Sequence, residues 1–343
     1  MRSDVIIGLQ YGDEAKGKVT NEVLNMVHYD YVLRFNGGCN AGHTIYHEGQ
    51  KYITHHIPAG VFHGVKSVIG PGCVINLQKL LEEIKMFQDN GFDLSNLLFI
   101  DKRAHMIQAE HLRVDGEDTC IGTTKSGNGP AYAAKANRTG IRFGDIKYLS
   151  SEVVTSLFEF NPEIEVDVYD LLYRGDVQVL CEGAQGFFLD TDWGDYPYVT
   201  SSHCGVAGAV QNGIRHDSID TVVGVAKVYE TYVGAKQFQP SDEVFNDLQR
   251  VGNEIGATTG RTRQCNWLNL DNLKKAIRIN GVNKVILNKI DVLQELDVWS
   301  LIEDDVVVDM GSEKIFRMYI IHKLVNLGIK KEAIFFSGSP DRI

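Results

Sequence analysis

The sequence predicts an α/β protein with a largely parallel central sheet, helices on both faces and long functional loops. Short apolar segments alternate with segments of helical periodicity, which favours parallel strands joined by helices. Polar, glycine-containing loops begin where several apolar segments stop. The 343 residues, 43% of them hydrophobic, can bury a large core. No repeat or shift in composition marks a linker, so we expect one domain over residues 1–343.

The individual elements follow from short apolar runs and from residue spacing. Residues 5–8 predict the first strand and residues 17–27 the first helix. Further strands are predicted at residues 31–35, 67–70, 177–181, 221–225, 285–288 and 333–336. Further helices are predicted at residues 77–90, 270–279 and 316–327. Open α/β sheets bind ligands at the carboxyl ends of their strands, so the loops after these strands are the candidate sites.

Composition excludes several function classes. The formal net charge of -11 argues against a general affinity for nucleic acid, because no basic excess exists to replace counterions. No run of 18 uncharged apolar residues predicts a membrane-spanning helix, and the first apolar segment is too short for a signal peptide. The six cysteines are scattered without a C-x-x-C pair, as expected of reduced thiols. We therefore expect a soluble cytoplasmic protein with neither a membrane nor a nucleic-acid partner.

The loop GDEAKGK at residues 12–18 has the composition of a phosphate-binding loop. Its glycines let backbone N–H groups point at phosphate oxygens, while a helix start and two lysines supply positive potential. The spacing fits most of the pattern G-x-x-x-x-G-K-[ST], but Val19 replaces the magnesium-binding hydroxyl residue. An ordinary capped helix start is the alternative. The acidic Asp13 inside the loop suggests a metal ligand or a base.

Two more polar segments follow predicted strands, and one lies between them. NAGHT at residues 40–44 favours a functional His43 ring over a structural one. IGTTKSGNGPA at residues 121–131 offers hydroxyls and amides to a monophosphate, with a surface turn as the alternative. CEGAQG at residues 181–186 presents Gln185, whose side chain both donates and accepts, as a purine edge requires.

The carboxyl-terminal part of the sequence adds three motifs. GATTGRTR at residues 256–263 carries two arginines suited to binding a carboxylate in two-pronged fashion. NKID at residues 288–291 places Asp291 where it can accept two hydrogen bonds from a guanine edge. SGSPDR follows at residues 337–342. Each motif is weak or moderate alone, and their order along the chain carries the interpretation.

That order resembles the adenylosuccinate synthetase family from end to end. The matching motifs are G-D-E-x-K-G-K, N-A-G-H-T, G-T-T-x-x-G-x-G-P-A, E-G-A-Q-G, Y-P-Y-V-T-S, A-T-T-G-R, N-K-x-D and S-G-x-P-D-R. The resemblance implies a ligase that joins L-aspartate to C6 of a 6-oxopurine nucleoside monophosphate through a 6-phosphoryl intermediate. A nucleoside triphosphate is hydrolysed to the diphosphate and phosphate, with Mg²⁺ as cofactor.

The resemblance also implies residue roles. Asp13 would take the purine N1 proton and bind magnesium together with the backbone of Gly42, while His43 and Lys16 would act on the transferred phosphoryl group. The expected mononucleotide ligands are Asn40, Thr124, Arg138, Gln185, Thr200 and Val233. The expected aspartate ligands are Thr258, Thr259, Arg261 and Arg263. The expected triphosphate contacts are Gly12, Glu14, Ala15, Gly17, Lys18, Thr44, Lys289, Asp291, Ser337 and Gly338. Arg138 would reach the neighbouring subunit's substrate, which implies a homodimer.

Some positions depart from the family pattern. Ala15 stands where the family has glycine, and Tyr232 stands where the family has arginine. Residues 233–242 differ from most of the family motif that follows this arginine. Because that motif lies by the ribose, we expect the Tyr232 ring to crowd a 2′-hydroxyl. These departures and the short chain, nearer the archaeal length, resemble the viral branch of the family, which acts on dGMP in the pathway to 2-aminoadenine DNA. Some viral members lose the aspartate that Asp13 preserves, which argues the other way.

The sequence therefore favours dGMP as substrate, with IMP as the alternative, and a host cytoplasm if the chain is viral. GTP or dGTP is the expected donor, because Asp291 matches guanine, with ATP or dATP as the alternative. A P-loop-like kinase would not require the two-arginine segment at residues 256–263, which argues against that function class. A nucleotide-sensing protein does not require the Asp13–His43 pair.

Overall fold

The computed structural model describes residues 1–149, 151–256, 260–340 and 342–343. The strands are β1 Arg2–Gly8, β2 Tyr31–Arg34, β3 His43–His47, β4 Gln50–Thr54, β5 Lys66–Ile69, β6 Val74–Ile75, β7 Leu98–Asp101, β8 His105–Met106, β9 Glu165–Val166, β10 Gln178–Glu182, β11 Ile219–Lys227, β12 Tyr229–Tyr232, β13 Gln264–Asn269, β14 Lys284–Asn288, β15 Ser300–Glu303, β16 Val306–Asp309 and β17 Ile334–Ser337. The helices are α1 Lys16–Met26, α2 Leu77–Asp89, α3 Ala109–Gly116, α4 Asn128–Asn137, α5 Glu152–Phe160, α6 Val168–Tyr173, α7 Val206–Gln211, α8 Val244–Val251, α9 Leu270–Asn280, α10 Ile290–Leu296 and α11 Glu313–Val325.

A parallel sheet forms the centre of the protein. Within the described ranges it has nine strands in the order β17-β14-β11-β1-β10-β2-β5-β7-β9, and each neighbouring pair is parallel. A four-stranded sheet, β12-β13-β15-β16, and the hairpin β3-β4 lie outside it. The predicted α/β class is confirmed.

Successive residues of the central strands face two different hydrophobic cores. Val5 and Ile7 belong to one core and Ile6 to the other, as the two-residue period of a strand requires. Side chains of α1, α2 and α5 fill the core that contains Ile6, whereas those of α6 to α11 fill the other. Helices therefore cover both faces of the sheet, which explains the nearly continuous apolar runs in its strands.

The sequence did not predict the four-stranded sheet. In β12, Glu230 and Thr231 are buried although they are polar, so the apolar pattern of a strand is absent there. In β16, Val306 and Val307 are apolar but both are exposed, so the expected alternation of buried apolar and exposed polar residues is absent there too. The last helix also begins three residues earlier than predicted, since the hydroxyl of Ser312 caps it by accepting a hydrogen bond from the Ile315 amide at 3.5 Å.

Seven of the nine central strands end at the same edge of the sheet with a polar or glycine residue. These last residues are Gly8 of β1, Arg34 of β2, Asp101 of β7, Glu182 of β10, Lys227 of β11, Asn288 of β14 and Ser337 of β17. Five of the motifs identified above lie at or after these strand ends, so the fold gathers distant parts of the sequence at one edge. None of the helices in the described ranges is both long and apolar enough to cross a membrane.

The segment after β4 contains a fully buried histidine, His56, whose Nε2 accepts a hydrogen bond from the amide of Asn76 at 3.0 Å. Burial and the nearby charge of Arg34 lower the pKa of His56 to about 3. An unfolded chain would protonate this ring near its ordinary pKa of about 6.5. Stability from the neutral ring is therefore present above pH 6.5 and is lost as the pH falls.

We predict that His56→Gln, which keeps an acceptor but cannot titrate, weakens the acid sensitivity of the fold. Between pH 6 and 4.5, the free energy of unfolding should fall less steeply in the variant, by about 1.4 kcal/mol per pH unit. Denaturant unfolding at several pH values measures this slope, with the exposed His28→Gln as the control. An identical slope in His56→Gln and the parent would contradict a buried neutral ring.

Candidate active site

The loop after β1 is closed by its own glutamate. Gly12, Asp13 and Ala15 adopt left-handed backbone conformations with φ of 86°, 59° and 70°. The buried carboxylate of Glu14 accepts hydrogen bonds from the amide of Gly12 at 2.8 Å and from the ammonium of Lys16 at 2.5 Å. The Gly12 amide, predicted to face a phosphate, thus faces a carboxylate here. Alanine in place of glycine at position 15 costs about 1–2 kcal/mol of backbone strain.

Lys18, predicted to contact the triphosphate, lies at 5% exposure beneath the loop and joins strand ends. Its ammonium donates to the side chains of Asn288 at 2.5 Å and Ser337 at 2.9 Å. It also donates to the carbonyl oxygens of Ser339 and Arg342 at 3.0 and 3.2 Å. Through these contacts Lys18 holds the loop ends together, and its contact with the triphosphate stays a prediction.

His43, the first residue of β3, is buried against a carboxylate. Its Nδ1 lies 2.5 Å from Oε1 of Glu182, which also accepts from Nη1 of Arg34 at 3.1 Å. The other carboxylate oxygen of Glu182 accepts from the amide of Ala59 at 2.8 Å. Burial opposes ionisation of Glu182, but the hydrogen bond from His43 and the charges beside it lower its pKa overall.

The His43 ring is held neutral and points one nitrogen away from Glu182. Burial and the positive charge of Arg34 lower the pKa of His43 to about 4, against the opposing effect of Glu182. With Nδ1 facing the carboxylate, that nitrogen carries the proton and Nε2 is the acceptor. In the described part of the chain, Nε2 is buried without a hydrogen-bond partner. An orphaned ring nitrogen of this kind is a candidate for contact with a ligand.

The candidate mononucleotide residues come together only in part. Gln185 donates to Oδ1 of Asn40 at 3.0 Å, so these two predicted ligands are in contact. Thr124 bonds the hydroxyl of Ser126 at 2.5 Å just before α4, and Thr200 donates to the carbonyl oxygen of Leu189 at 2.9 Å. Arg138 directly follows α4, is exposed and touches none of these residues in the described contacts, which suits a residue offered to another subunit.

Arg261 and Arg263 lie between the loop at residues 12–18 and the segment before α4. Arg261 donates to the carbonyl oxygens of Gly122 and Thr123 at 3.0 and 3.2 Å. Arg263 donates from Nε to Asp13 at 2.6 Å and from Nη1 to Glu254 at 2.7 Å. The structure therefore unites the two motifs that the sequence placed 250 residues apart. Thr258 and Thr259 lie outside the described residues.

The Tyr232 ring, expected to crowd a 2′-hydroxyl, has most of its surface covered by other residues of the protein. It is only 4% exposed because it packs against Tyr11 and Phe238, with ring centroids 5.9 and 5.6 Å away. Gln264 instead fixes the segment that follows. Its side chain accepts from the amides of Phe238 and Gln239 at 2.8 and 3.1 Å, and donates to the carbonyl oxygens of Gly234 and Lys236 at 3.3 and 2.8 Å.

The remaining predicted residues lie around the same edge. Asp291 is exposed on α10, and a Cβ added to Gly338 would lie 3.1 Å from the Cβ of Asp291, so these two residues are adjacent. Lys289 donates to the carbonyl oxygen of Gly252 at 2.7 Å. Val233 is half-buried next to Tyr232. Thr44 follows His43 in β3, and Gly42 precedes it.

The donor chemistry of the predicted metal ligands fits magnesium. The Asp13 carboxylate and a Gly42 carbonyl are hard oxygen ligands of the kind Mg²⁺ binds, with substrate phosphates completing its shell. Asp13 is about one-third exposed, so its carboxylate is accessible from the loop. One of its oxygens pairs with Arg263, and a bound metal would compete with that arginine.

Comparisons with known proteins agree with this geometry. The family described as "Adenylosuccinate synthetase" matches residues 5–170 and 163–302. A Phocaeicola vulgatus protein named adenylosuccinate synthetase is 39% identical over 338 residues, covering 87% of this chain and 79% of that one. This chain belongs to the adenylosuccinate synthetase family. It is therefore a C–N bond-forming ligase that joins aspartate to a nucleotide, and members of this family use GTP and Mg²⁺.

Solved structures share the fold. The fully ligated adenylosuccinate synthetase from Plasmodium falciparum superposes with a TM-score of 0.79 at 33% identity, covering 91% of this chain and 85% of that one. The cyanophage S-2L succinoaminodeoxyadenylate synthetase, bound to dGMP and to dATP as an energy donor, has a TM-score of 0.74. Its identity is 22%, with 99% of this chain and 93% of that one covered, so it supports the fold alone.

Some residues of the site escaped the sequence analysis. Arg34 and Glu182 hold the His43 ring in place. Glu254 accepts a hydrogen bond from Arg263. Asp195 pairs with Lys236 in the segment that follows Tyr232. Glu182 had a signal, since a carboxylate that ends a buried strand requires a partner. Glu254 had none, because no recognisable motif contains it and its partners Lys227, Tyr229 and Arg263 meet it only through the tertiary fold.

Gly17 offers a test of how closely α1 approaches His43. A Cβ at position 17 would lie 2.9 Å from the Cβ of His43 and 3.1 Å from the carbonyl oxygen of Thr44. We predict that Gly17→Ala displaces His43 and lowers kcat roughly tenfold or more, since a displacement of about 1 Å can reduce a rate 10²-fold. Steady-state kinetics measures this, with Gly175→Ala as control, because an added Cβ there meets no atom within 4 Å. An unchanged kcat would show that the contact does not position His43.

Proposed function

We propose that this chain joins L-aspartate to C6 of dGMP and forms N6-succino-2-amino-2′-deoxyadenylate in the cytoplasm, that of a host if the chain is viral. The observation behind this choice is the segment at residues 232–242, which departs from the family pattern beside the expected ribose site. The alternative is IMP, converted to adenylosuccinate in purine biosynthesis. The two substrates differ in the 2-amino group and the 2′-hydroxyl. We therefore expect residues 232–242, which line the expected sugar and base site, to determine which substrate binds.

The altered segment has its own supports. Gln264 uses both its oxygen and its amino group on residues 234–239, and Lys236 pairs with Asp195. Asp195 in turn accepts a hydrogen bond from Tyr11 at 3.0 Å, next to the phosphate loop. These contacts hold the backbone of the segment in one conformation. A fixed backbone supports selection between the two purines, because the wrong purine would leave a buried polar group unpaired, at a cost of about 1–3 kcal/mol.

In the proposed mechanism, Asp13 removes the proton from purine N1, and O6 becomes nucleophilic. O6 attacks the γ-phosphorus of the triphosphate and the nucleoside diphosphate leaves. The amine of aspartate then attacks C6, and the phosphate leaves with O6. A positioned carboxylate base contributes about 10²–10⁴-fold to such a step. Mg²⁺, held by Asp13 and the Gly42 carbonyl, would offset charge on the phosphates.

His43 would act at the phosphoryl group through Nε2. Glu182 fixes the ring, and burial keeps it neutral. An anionic phosphoryl group beside Nε2 favours the protonated ring, because an opposite charge within a few ångströms raises the pKa of a histidine. The ring then donates to the group being transferred. Lys16, balanced by Glu14, supplies a second positive charge near the loop.

The other proposed contacts follow the family pattern. Asn40, Thr124, Gln185, Thr200 and Val233 would bind the mononucleotide, with Arg138 of the neighbouring subunit at its phosphate. Thr258, Thr259, Arg261 and Arg263 would bind aspartate. Gly12, Glu14, Ala15, Gly17, Thr44, Lys289, Asp291, Ser337 and Gly338 would line the triphosphate site. GTP or dGTP is the proposed donor, because no hydrogen bond among the described residues occupies the Asp291 carboxylate, which can accept from guanine.

The substrate proposal is tested by measuring phosphate release from GTP with dGMP, IMP, GMP or dIMP as the acceptor, each in the presence of aspartate and magnesium. We expect the highest kcat/KM with dGMP, and no release when aspartate is omitted. Running the same series with GTP, dGTP, ATP and dATP tests the donor. A clear preference for IMP would establish the alternative substrate, and equal efficiency with ATP or dATP would show that Asp291 does not select guanine.

The mechanism predicts severe losses at two positions. Asp13→Asn removes the base and should lower kcat by about 10²–10⁴-fold. His43→Ala removes the ring from the phosphoryl group and should lower kcat by about 10²–10³-fold. Thermal unfolding of both variants controls for loss of structure. Near-parental rates at saturating substrates in either variant would refute the assigned role.

We also propose that the active unit is a homodimer in which Arg138 completes the partner's site. We predict that mixing inactive Arg138→Leu with inactive Asp13→Asn restores part of the activity, since one of the two sites in a mixed dimer then receives both native residues. Activity after subunit exchange, verified with differently tagged chains, is the measurement. Exchange without recovery would rule out a shared site.

A further inference from the structure

The guanidinium of Arg263 is held between two carboxylates of different character. Its Nε donates to Oδ2 of Asp13 at 2.6 Å, and its Nη1 donates to Oε2 of Glu254 at 2.7 Å. The Arg263 side chain is 12% exposed, that of Glu254 is 0% exposed and that of Asp13 is 32% exposed. One partner of the arginine is therefore fully buried, and the other lies at the surface of the site.

Glu254 is fixed by several buried groups. Lys227 donates to both its oxygens at 2.9 and 3.0 Å, and the hydroxyl of Tyr229 donates at 2.6 Å. Burial opposes ionisation of Glu254, yet the charges of Lys227 and Arg263 lower its pKa to about 2. Breaking one partner away from such a buried pair is strongly unfavourable. Glu254 therefore stays on Arg263 whatever happens at the other side.

Asp13 is the partner that can leave. It belongs to the loop after β1, adopts φ of 59° and has a side chain that is 32% exposed. The four side chains Lys227, Arg263, Glu254 and Asp13 carry two positive and two negative charges, so their sum is zero. Removing Asp13 from this group leaves one positive charge, which another carboxylate can balance.

The geometry of the guanidinium adds a restriction. A carboxylate binds arginine in two-pronged fashion along either the Nε–Nη2 edge or the Nη1–Nη2 edge. Asp13 accepts the single Nε proton of the first edge, and Glu254 accepts from Nη1. An incoming carboxylate that binds with two prongs along the Nε–Nη2 edge must therefore displace Asp13, while Glu254 remains on Nη1.

We propose that a carboxylate of the substrate aspartate replaces Asp13 on Arg263, and that this exchange releases Asp13 for the purine and the metal. The proposal rests on the function proposed above. It makes Asp13 a competitor of the amino acid as well as the base of the reaction. The base is then set free only where the amino acid that completes the reaction has arrived.

The test is calorimetric binding of L-aspartate, in the presence of dGMP or IMP and without any nucleoside triphosphate, so that no turnover occurs. Asp13→Asn removes the competing charge, since an amide pairs only weakly with a guanidinium. We expect it to bind aspartate about tenfold more tightly than the parent. Asp13→Ala, which removes the side chain altogether, should show the same tightening.

Two further variants separate this inference from the function beneath it. Asp192→Asn removes one negative charge at an exposed position and should leave the affinity unchanged. Arg263→Leu should abolish binding. Equal, weaker or undetectable binding by the Asp13 variants, with Arg263→Leu inactive in binding, would overturn the exchange but keep the aspartate site. Parental binding by Arg263→Leu would overturn both the exchange and the proposed aspartate site.

Discussion

Glu182 carries a negative charge inside the protein, and three separate parts of the chain supply the groups that balance it. Arg34 comes from β2, His43 from the start of β3 and the Ala59 amide from the segment after β4. An unpaired buried carboxylate would be strongly unfavourable, so these parts must meet at the end of β10. The position of the His43 ring is thus a consequence of charge balance in the core.

Lys18 has a comparable role on the other side of the site. Its ammonium joins the ends of β14 and β17 to α1, and Asn288 extends this link by donating to the carbonyl oxygen of Glu14 at 2.7 Å. The residues proposed to bind the donor base are therefore attached to the loop proposed to bind its phosphates.

Much of the fold followed from the sequence, because the central strands are buried on both faces and their apolar runs are unmistakable. The four-stranded sheet was missed because its strands contain buried polar residues such as Glu230, which only tertiary contacts can accommodate. The motifs located the loop residues of the site, such as Asp13 and His43. The supporting groups were not predictable when no motif contained them, as for Glu254, which contacts Lys227, Tyr229 and Arg263 only in the folded chain.

The distances between these groups also changed the interpretation of individual residues. Lys18 matched the lysine of a phosphate loop, yet its protons are used by oxygens of the protein. Tyr232 was expected beside a sugar, yet its ring completes an aromatic cluster with Tyr11. A sequence pattern indicates which residues lie at a site. It does not indicate which atoms of those residues are already bonded within the protein and which remain available to a ligand.

The charges of the site are balanced within the protein itself. In the described part of the chain, Lys16 pairs with Glu14, Arg34 with Glu182, Arg263 with Asp13 and Glu254, and Lys236 with Asp195. At these four groups an anionic substrate therefore meets cations that already have carboxylate partners, and binding there is an exchange of partners rather than a simple attraction. This exchange of partners favours a ligand whose anionic group can take the same geometry as the displaced carboxylate. A poorly placed anion would form weaker interactions with the cation than those that the displaced carboxylate gives up. A protein with a net charge of -11 can in this way bind three anionic substrates with selectivity.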